Sequence, residues 1–307
     1  MYLNTQYWLG FMGFIIGIDL GGTNIKGIII NENGDVLKQH YIPTQDSGDA
    51  SWRINVKEML DYLKEYLREP ILGIGLSAPG LPNAQNQCIA YLPNRLNGLE
   101  NFMWGEYFGD ATYILNDAHS ALMAEVKYGV AKDKKNVVLL TLGTGVGGGI
   151  LINGQLYQGL SQMAGHFGHI SINAYDDTKS IVGMIGSLEY AIGNYSIEER
   201  THGRFTSTWE LVEAHRRGDF FATYIWLSSV RKLAVAISSL CNALSPEMVV
   251  LAGGLTLADD ALYEPLKSFM DLYEWRPGGK KTEIIQAYFG DMAGAIGAAA
   301  FAQSKFN

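Results

Sequence analysis

Two histidines lie three residues apart between glycines in the segment AGHFGHI, residues 164–170. His166 and His169 could belong to a metal site, shuttle a proton, or donate hydrogen bonds to a polar ligand. Gly165 and Gly168 disfavour a helix here, so helical spacing cannot be assumed for the two rings. The chemistry of the pair therefore depends on the segments that surround it.

Two glycine-rich turns follow predicted strands and could bind phosphate. The strand FIIGIDL leads into residues 21–23, and the strand NVVLLTL leads into residues 143–145. Such turns expose backbone N–H groups with no side chain in the way, which suits a phosphate. One turn alone would favour a plain hairpin, but two turns, with LAGG after a third strand, favour phosphate binding. Neither a P-loop nor a dinucleotide-binding motif is present.

Two aspartates stand where predicted strands end. Asp19 directly precedes the first turn and is placed to hold Mg²⁺ through water, whereas Lys26 could be only a solvated strand residue. Asp117 follows the strand ATYILN and begins the predicted helix AHSALMAEVKYG. It could cap that helix or act as a general base. The phosphate turns on both sides of it favour the base.

The composition excludes several classes of protein. The chain has 307 residues, 48% hydrophobic and 18% charged, which is typical of a globular protein. Its net charge of −8 disfavours a nucleic-acid partner, which would require a basic surface. The two cysteines, Cys88 and Cys241, make no disulfide framework and favour the cytoplasm. We expect no export signal, because no Lys or Arg precedes Lys26, and no membrane span.

The pattern of strand, glycine turn and strand occurs twice along the chain. Each half also has a strand-to-helix junction with an aspartate, Asp117 in the first and Asp291 in the second. We interpret Asp291 as structural. This repetition predicts two similar α/β halves that face a cleft. We expect an N-terminal domain of residues 12–116 and 291–307 and a larger domain of residues 117–290, with residues 1–11 as an extension.

Five ordered segments resemble the motifs of the ROK family (repressors, open reading frames, kinases) of the actin-like ATPase superfamily. They are IGIDLGGTNIKG, NDAHSALMAE, LTLGTGVGGGILINGQLYQG, AGHFGHI and VVLAGG, within Phe14 to Ala302. The resemblance implies two actin-like (ribonuclease H-like) α/β domains with a cleft between them. It also implies ATP- and Mg²⁺-dependent phosphorylation of a hexose or N-acylhexosamine, usually at the 6-hydroxyl. Family members usually form homodimers.

The resemblance also assigns roles to individual residues. Asp117 matches the catalytic base. The positions implied in ATP and Mg²⁺ binding are Asp19, Gly21, Gly22, Thr23, Asn24, Lys26, Gly143, Thr144, Gly145, Gly253 and Gly254. The positions implied in sugar binding are Gly80, Asn94, Asn116, Asp117, His166, His169 and Glu189.

The chain departs from the family pattern at the structural zinc site, where three cysteines and the second histidine normally bind the metal. The cysteine positions hold Ser180, Val182 and Ser187. Serine is a poor zinc ligand and valine is none, so we expect no structural zinc. We expect His169 to find a new partner, such as a carbonyl or hydroxyl, for its second nitrogen. Apolar packing is expected to replace the metal through Val182, Met184, Ile185 and Leu188.

A second departure concerns the sugar. Most family kinases have glutamate where this chain has His166, and neutral imidazole offers a donor where carboxylate offers only acceptors. A donor would suit an N-acetyl carbonyl, and AGHFGH is similar to the form in N-acetylmannosamine kinases, so this sugar is favoured over glucose. A repressor is the main alternative class. Only 18 residues, without Lys or Arg, precede Asp19, which disfavours it. A silent sugar-binding protein is disfavoured by Asp117.

Overall fold

A computed structural model describes residues 13–46, 48–67, 69–93 and 95–306. The expected sugar contact Asn94 and the expected first residue of the N-terminal domain, Met12, lie outside these ranges. The division of the chain into domains at residues 117 and 291 stays a prediction.

The first half of the chain forms a five-stranded sheet with the order β3-β2-β1-β4-β7. Strand β1 pairs antiparallel with β2 and parallel with β4. The isoleucines on both faces of β1 and β2 are buried, as is typical of β-branched residues in central strands. The elements are β1 (Phe14–Leu20), β2 (Asn24–Ile30), β3 (Val36–Pro43), α1 (Trp52–Tyr66), β4 (Ile71–Ala78), β5 (Leu81–Pro82), β6 (Ile89–Tyr91), α2 (Trp104–Phe108), β7 (Thr112–Asn116) and α3 (Asp117–Tyr128).

The second half repeats this topology in a sheet with the order β10-β9-β8-β11-β12. Strand β8 pairs antiparallel with β9 and parallel with β11. The repeated sequence pattern therefore corresponds to a repeated strand order. The elements are β8 (Val137–Leu142), β9 (Val146–Ile152), β10 (Gln155–Tyr157), α4 (Leu188–Ile192), α5 (Ile197–Arg200), α6 (Thr208–Arg216), α7 (Phe220–Leu244), β11 (Met248–Ala252), α8 (Asp260–Tyr273), β12 (Glu283–Gln286) and α9 (Ala293–Gln303).

Helix α7 is the one helix in the described residues that is long and apolar enough, by length and composition, to cross a membrane. Its side chains Trp226, Leu233 and Ile237 are buried in the core beside the second sheet. Asp219 caps its first turn by accepting a hydrogen bond from the backbone of Ala222. The hydrophobicity of α7 is thus explained by packing within the protein.

Helices α3 and α9 share one hydrophobic cluster with residues of both sheets. The small residues of α9 allow close packing: a Cβ added at Gly297 would collide with the carbonyl of Ser120 in α3. Added at Gly17 or Gly75, it would collide with backbone carbonyls of α9. This packing brings the first residue of α3, Asp117, to the ends of strands β1 and β4.

Candidate active site

The first glycine turn, residues 21–23, joins β1 to β2 and is largely exposed. The Gly21 N–H donates to the Asn24 carbonyl at 3.1 Å. The buried Thr44 fixes the turn from behind, since its hydroxyl donates to the Gly21 carbonyl at 2.6 Å and its N–H donates to the Thr23 carbonyl at 2.9 Å. The outer face of the turn stays open for a ligand.

Asp19 lies at the end of β1, immediately before this turn. Its Oδ1 accepts a hydrogen bond from the Ser77 hydroxyl at 2.7 Å. Burial raises the pKa of Asp19 to about 6, against the effect of this hydrogen bond, and the negative charges of Asp117 and Asp291 add to the rise. A carboxylate held this way among other acidic groups is suited to a cation.

Lys26 differs from the solvated residue considered from the sequence. Its side chain is only 19% exposed, and its Nζ donates to the Asp291 backbone carbonyl at 2.6 Å. The same Nζ lies 3.6 Å from a carboxylate oxygen of Asp291. Lys26 therefore links β2 to the segment that precedes α9, and Asp291 contributes a structural contact.

The second glycine turn, residues 143–145, joins β8 to β9. The Gly143 N–H donates to the Gly145 carbonyl at 3.0 Å. The backbone N–H groups of Asn194 and Tyr195 donate to the carbonyls of Gly143 and Thr144, both at 3.0 Å. As in the first turn, the carbonyls are held by neighbouring protein, so the turn is rigid while one side remains free.

Two further predicted residues lie close to the second turn. The buried carboxylate of Glu189 accepts a hydrogen bond from the Val146 N–H at 3.2 Å and touches Gly145, so this predicted sugar ligand lies directly behind the turn. Gly253 packs against the backbone of Leu142 at the end of β8. Both positions therefore belong to the same edge of the second sheet.

Asp117 is the first residue of α3, and Asn116 provides the cap. The Asn116 side chain accepts from the Ala118 N–H at 3.0 Å and donates to the Gly80 carbonyl at 3.0 Å. Asp117 Oδ1 also accepts from Ala118, at 2.8 Å. Because Asn116 already satisfies the capping role, the carboxylate of Asp117 is not required for it.

The surroundings of Asp117 suit a general base. The residue is exposed to water on one side, yet protein atoms crowd its carboxylate, and this desolvation raises the pKa of Asp117. The Ala118 N–H and the nearby His166 and Arg95 oppose the rise. A carboxylate whose pKa lies above its ordinary value is a stronger base than a free aspartate.

A third histidine joins the two identified from the sequence. The ring of His166 lies 5.9 Å from that of His119 and 6.2 Å from that of His169. His119 is buried, and burial lowers its pKa to about 4, so the ring is neutral. Its Nε2 donates to the Ala164 carbonyl at 2.8 Å. His119 thereby fixes the backbone of the segment that carries His166.

The predicted donor role of His166 stays a prediction, and the contacts of the neutral ring favour the opposite role. Its Nδ1 lies 3.1 Å from the Met163 carbonyl, which can only accept a hydrogen bond. Burial lowers the pKa of His166, which favours the neutral ring, and a proton on Nδ1 would donate to this carbonyl. The remaining nitrogen, Nε2, is then an acceptor, as a carboxylate oxygen of glutamate would be.

Two expectations for the segment without zinc cysteines are also corrected. His169 Nδ1 is buried and has no hydrogen-bond partner among the described residues, so the expected replacement partner is not found there. Leu188 is buried, but Val182, Met184 and Ile185 are 58%, 43% and 46% exposed. Apolar packing around these three side chains therefore does not replace the metal.

Serine hydroxyls hold the segment instead. Ser180 Oγ accepts a hydrogen bond from the Met184 N–H at 3.2 Å. Ser187 Oγ caps α4 by accepting from the Tyr190 N–H at 3.2 Å. Serine therefore stands at two of the three positions where the family has zinc-binding cysteines, and both hydroxyls accept hydrogen bonds from backbone N–H groups.

We expect purified protein to contain no stoichiometric zinc. Within the described ranges, no three His, Cys, Asp or Glu side chains form a group that could hold a metal ion, and the serine hydroxyls are poor zinc ligands. Chelator treatment followed by Mg²⁺ should leave the melting temperature and activity unchanged. Elemental analysis that finds one zinc per chain would contradict this expectation.

Three residues of the site were missed from the sequence. Ser77 bonds to Asp19, His119 supports the segment of His166, and Arg95 approaches both Gly22 and Asp117. His119 could have been noticed, because it stands two residues after Asp117. Ser77 and Arg95 carried no such signal, since serine and arginine are common on strands and loops.

The order of the strands and the position of the glycine turns define the class of this protein. Two sheets of equal topology, each with a glycine turn at the site, form the fold of the actin-like ATPases. A crystal structure of a ROK hexokinase from Thermus thermophilus matches with a TM-score of 0.85 and 26% identity, covering 96% of this chain and 100% of that one. The ROK family model matches residues 15–305, and the chain belongs to the ROK family.

Curated relatives of this chain act on more than one sugar. A glucokinase from Halalkalibacterium halodurans is 30% identical over 308 residues, covering 92% of both chains. An N-acetylmannosamine kinase from Escherichia coli is 28% identical over 294 residues, covering 92% of this chain and 96% of the relative. The resemblance to ROK sugar kinases is confirmed, and these relatives do not distinguish between the two sugars.

Proposed function

We propose that this chain is a sugar kinase that transfers the γ-phosphoryl group of ATP to the 6-hydroxyl of a hexose or N-acylhexosamine. One observation carries the proposal: Asn116 also caps α3, so the carboxylate of Asp117 is not required for that role and lies at the site with two open glycine turns. Each turn comes from a different sheet and leaves backbone N–H groups available for phosphate oxygens. Family membership and the kinases among the relatives support the same reaction.

Asp117 performs the acid–base part of the reaction in this proposal. Its carboxylate accepts a hydrogen bond from the sugar hydroxyl and orients that oxygen towards the γ-phosphorus. As the new oxygen–phosphorus bond forms, the bond from that phosphorus to the β–γ bridging oxygen breaks and ADP leaves. The hydroxyl proton passes to Asp117. Positioning of this kind is the main demand of a loose phosphoryl-transfer transition state.

Asp19 is suited to hold Mg²⁺. This ion usually takes one or two protein carboxylates and completes its shell with water and phosphate oxygens, and a partly buried carboxylate beside the first turn fits that donor set. When bound, Mg²⁺ neutralises negative charge on the phosphates. Ser77 and Lys26 keep the surrounding strands in place, through Asp19 and Asp291 respectively.

An acceptor on His166 suits both candidate sugars. Glucose presents a 2-hydroxyl that can donate to Nε2, and N-acetylmannosamine presents an amide N–H at the same carbon. Both sugars therefore fit the proposal equally, and the preference for N-acetylmannosamine loses its original argument. The Met163 carbonyl contacts Nδ1 of the ring, and His119 bonds to the carbonyl of the nearby Ala164.

The proposed function is tested by ADP release with Mg²⁺ over a panel of hexoses and N-acylhexosamines. We expect sugar-dependent ADP release with at least one member and a product phosphorylated at carbon 6, identified by phosphorus NMR. Absence of sugar-dependent ADP release across the panel would contradict the proposal. Phosphorylation at another hydroxyl would correct its regiochemistry.

Replacing Gly143 with alanine should impair ATP use without destabilising the protein. A Cβ at Gly143 meets no protein atom within 4 Å, and the backbone there is not left-handed, so the fold tolerates it. A phosphate close to the turn would be pushed away, and a lost hydrogen bond to a charged group costs about 1.5–3 kcal/mol. We expect kcat/KM for ATP to fall by about tenfold to a hundredfold.

The control for this variant is Gly105→Ala in α2, which is far from the turns in sequence. A Cβ added at Gly105 has its nearest contact at 3.4 Å. Both variants should melt close to the wild type. Unchanged kcat/KM for ATP in Gly143→Ala would show that the second turn is only a hairpin.

We further propose that the kinase works in the cytoplasm, where ATP is available, and forms a homodimer. Sedimentation velocity of the purified protein tests whether it forms a homodimer. A monomer at micromolar concentration would contradict it.

A further inference from the structure

We propose that Arg95 is a catalytic residue that binds the transferred phosphoryl group and stabilises its negative charge. This inference rests on the proposed sugar-kinase function and adds a residue that the sequence motifs did not include.

The position of Arg95 places its guanidinium over the first glycine turn. The residue follows β6 in the segment that leads to α2. A Cβ built on Gly22 would lie 3.4 Å from Arg95 Nη2, so the guanidinium is in near contact with the most exposed part of the turn. A phosphate bound by the backbone of this turn would lie within reach of the same group.

Arg95 also lies close enough to Asp117 to affect that carboxylate electrostatically. The cation is therefore near both the phosphate turn and the base that receives the sugar proton. The transferred phosphoryl group must pass between a phosphate site and the hydroxyl that the base orients. Arg95 is placed near both ends of that path.

The guanidinium is available for a ligand. Throughout the part of the chain that the structure describes, it forms no ion pair and no hydrogen bond, and its side chain is exposed. It borders an open cavity of about 480 Å³, lined by Leu92, Asn97 and Glu100 among others. The side chain thus has room to turn towards a ligand without breaking an existing contact.

The chemistry of arginine suits binding of a phosphoryl group. The alternative is that Arg95 is only a solvated surface cation. Its planar fork of donors matches phosphate oxygens in pairs, and it stays protonated at any pH used for activity. An arginine that stabilises phosphoryl-transfer charge contributes on the order of 10³-fold or more to the rate. A surface arginine without partners would contribute nothing measurable.

The test compares Arg95→Ala, Arg95→Lys and the exposed control Arg217→Ala in the full-length protein. We expect Arg95→Ala to lower kcat by about 10³-fold with an unchanged KM for sugar and an unchanged melting temperature. Arg95→Lys should lose less, and added guanidinium should partly restore Arg95→Ala. Arg217→Ala should match the wild type.

A binding measurement separates this role from a general loss of activity. Calorimetry with ADP, aluminium fluoride and sugar probes a mimic of the transferred phosphoryl group. We expect Arg95→Ala to lose affinity for this combination, while its affinity for ADP alone stays unchanged. A merely structural residue would not produce that difference.

The outcomes distinguish the two proposals. A wild-type protein without sugar-dependent ADP release would overturn the proposed function and this inference with it. An active wild type with an equally active Arg95→Ala would overturn only the role of Arg95. An Arg95→Ala variant that raises only the KM for sugar would assign Arg95 to the sugar and also overturn its role at the phosphoryl group.

Discussion

Asp117→Asn should lower kcat by about 10²- to 10⁴-fold while ATP and sugar still bind. Asparagine retains an oxygen that can accept from the Ala118 N–H, and Asn116 continues to cap α3, so the fold should be preserved. The amide cannot take the hydroxyl proton, which removes the base. Steady-state kinetics gives kcat, and calorimetry gives the two binding constants.

Asp260→Asn is the matched control, because Asp260 is also the first residue of a helix, α8, and is exposed. It should leave kcat unchanged. The pH profile offers a second readout: desolvation raises the pKa of Asp117 above the ordinary 3.8, and only the ionised form is a base. Activity should therefore rise with pH through a limb above 3.8. Near wild-type turnover in Asp117→Asn would rule out the base.

Gly297→Ala should destabilise the protein by about 3 kcal/mol or more, at the upper end of the effects of overpacking. The added methyl group would collide with the Ser120 carbonyl and approach the Ala124 N–H at 3.0 Å, and backbone cannot turn aside as a side chain can. Helices α3 and α9 must separate to accommodate it. Because α3 carries Asp117, activity should fall together with the melting temperature.

Gly105→Ala again serves as the control, since this glycine is also helical and its added Cβ has room. That variant should be neutral or slightly stabilised, as alanine is a better helix former than glycine. Thermal melting followed by circular dichroism compares the three proteins. A melting temperature for Gly297→Ala equal to that of the wild type would show that α3 and α9 pack less closely than the structure indicates.

Local pattern was sufficient to predict the framework of the site. Strand runs rich in β-branched residues, followed by glycine turns, predicted both hairpins, and the recurrence of that pattern predicted two similar halves. Asp117 was located from its place between a strand and a helix. These predictions succeeded because neighbours along the chain determine strand ends, turns and helix starts.

The sequence by itself determined which residues this protein has for its chemistry: Asp117 as the candidate base, the two turns and the histidine segment. Only the tertiary structure decided how some of them act. The Met163 carbonyl beside Nδ1 favours His166 as an acceptor through Nε2, and Val182, which was expected to pack, is 58% exposed. Arg95 reaches Gly22 across many residues of sequence. Protonation, exposure and such distances depend on groups that folding brings together, so no local pattern could encode them.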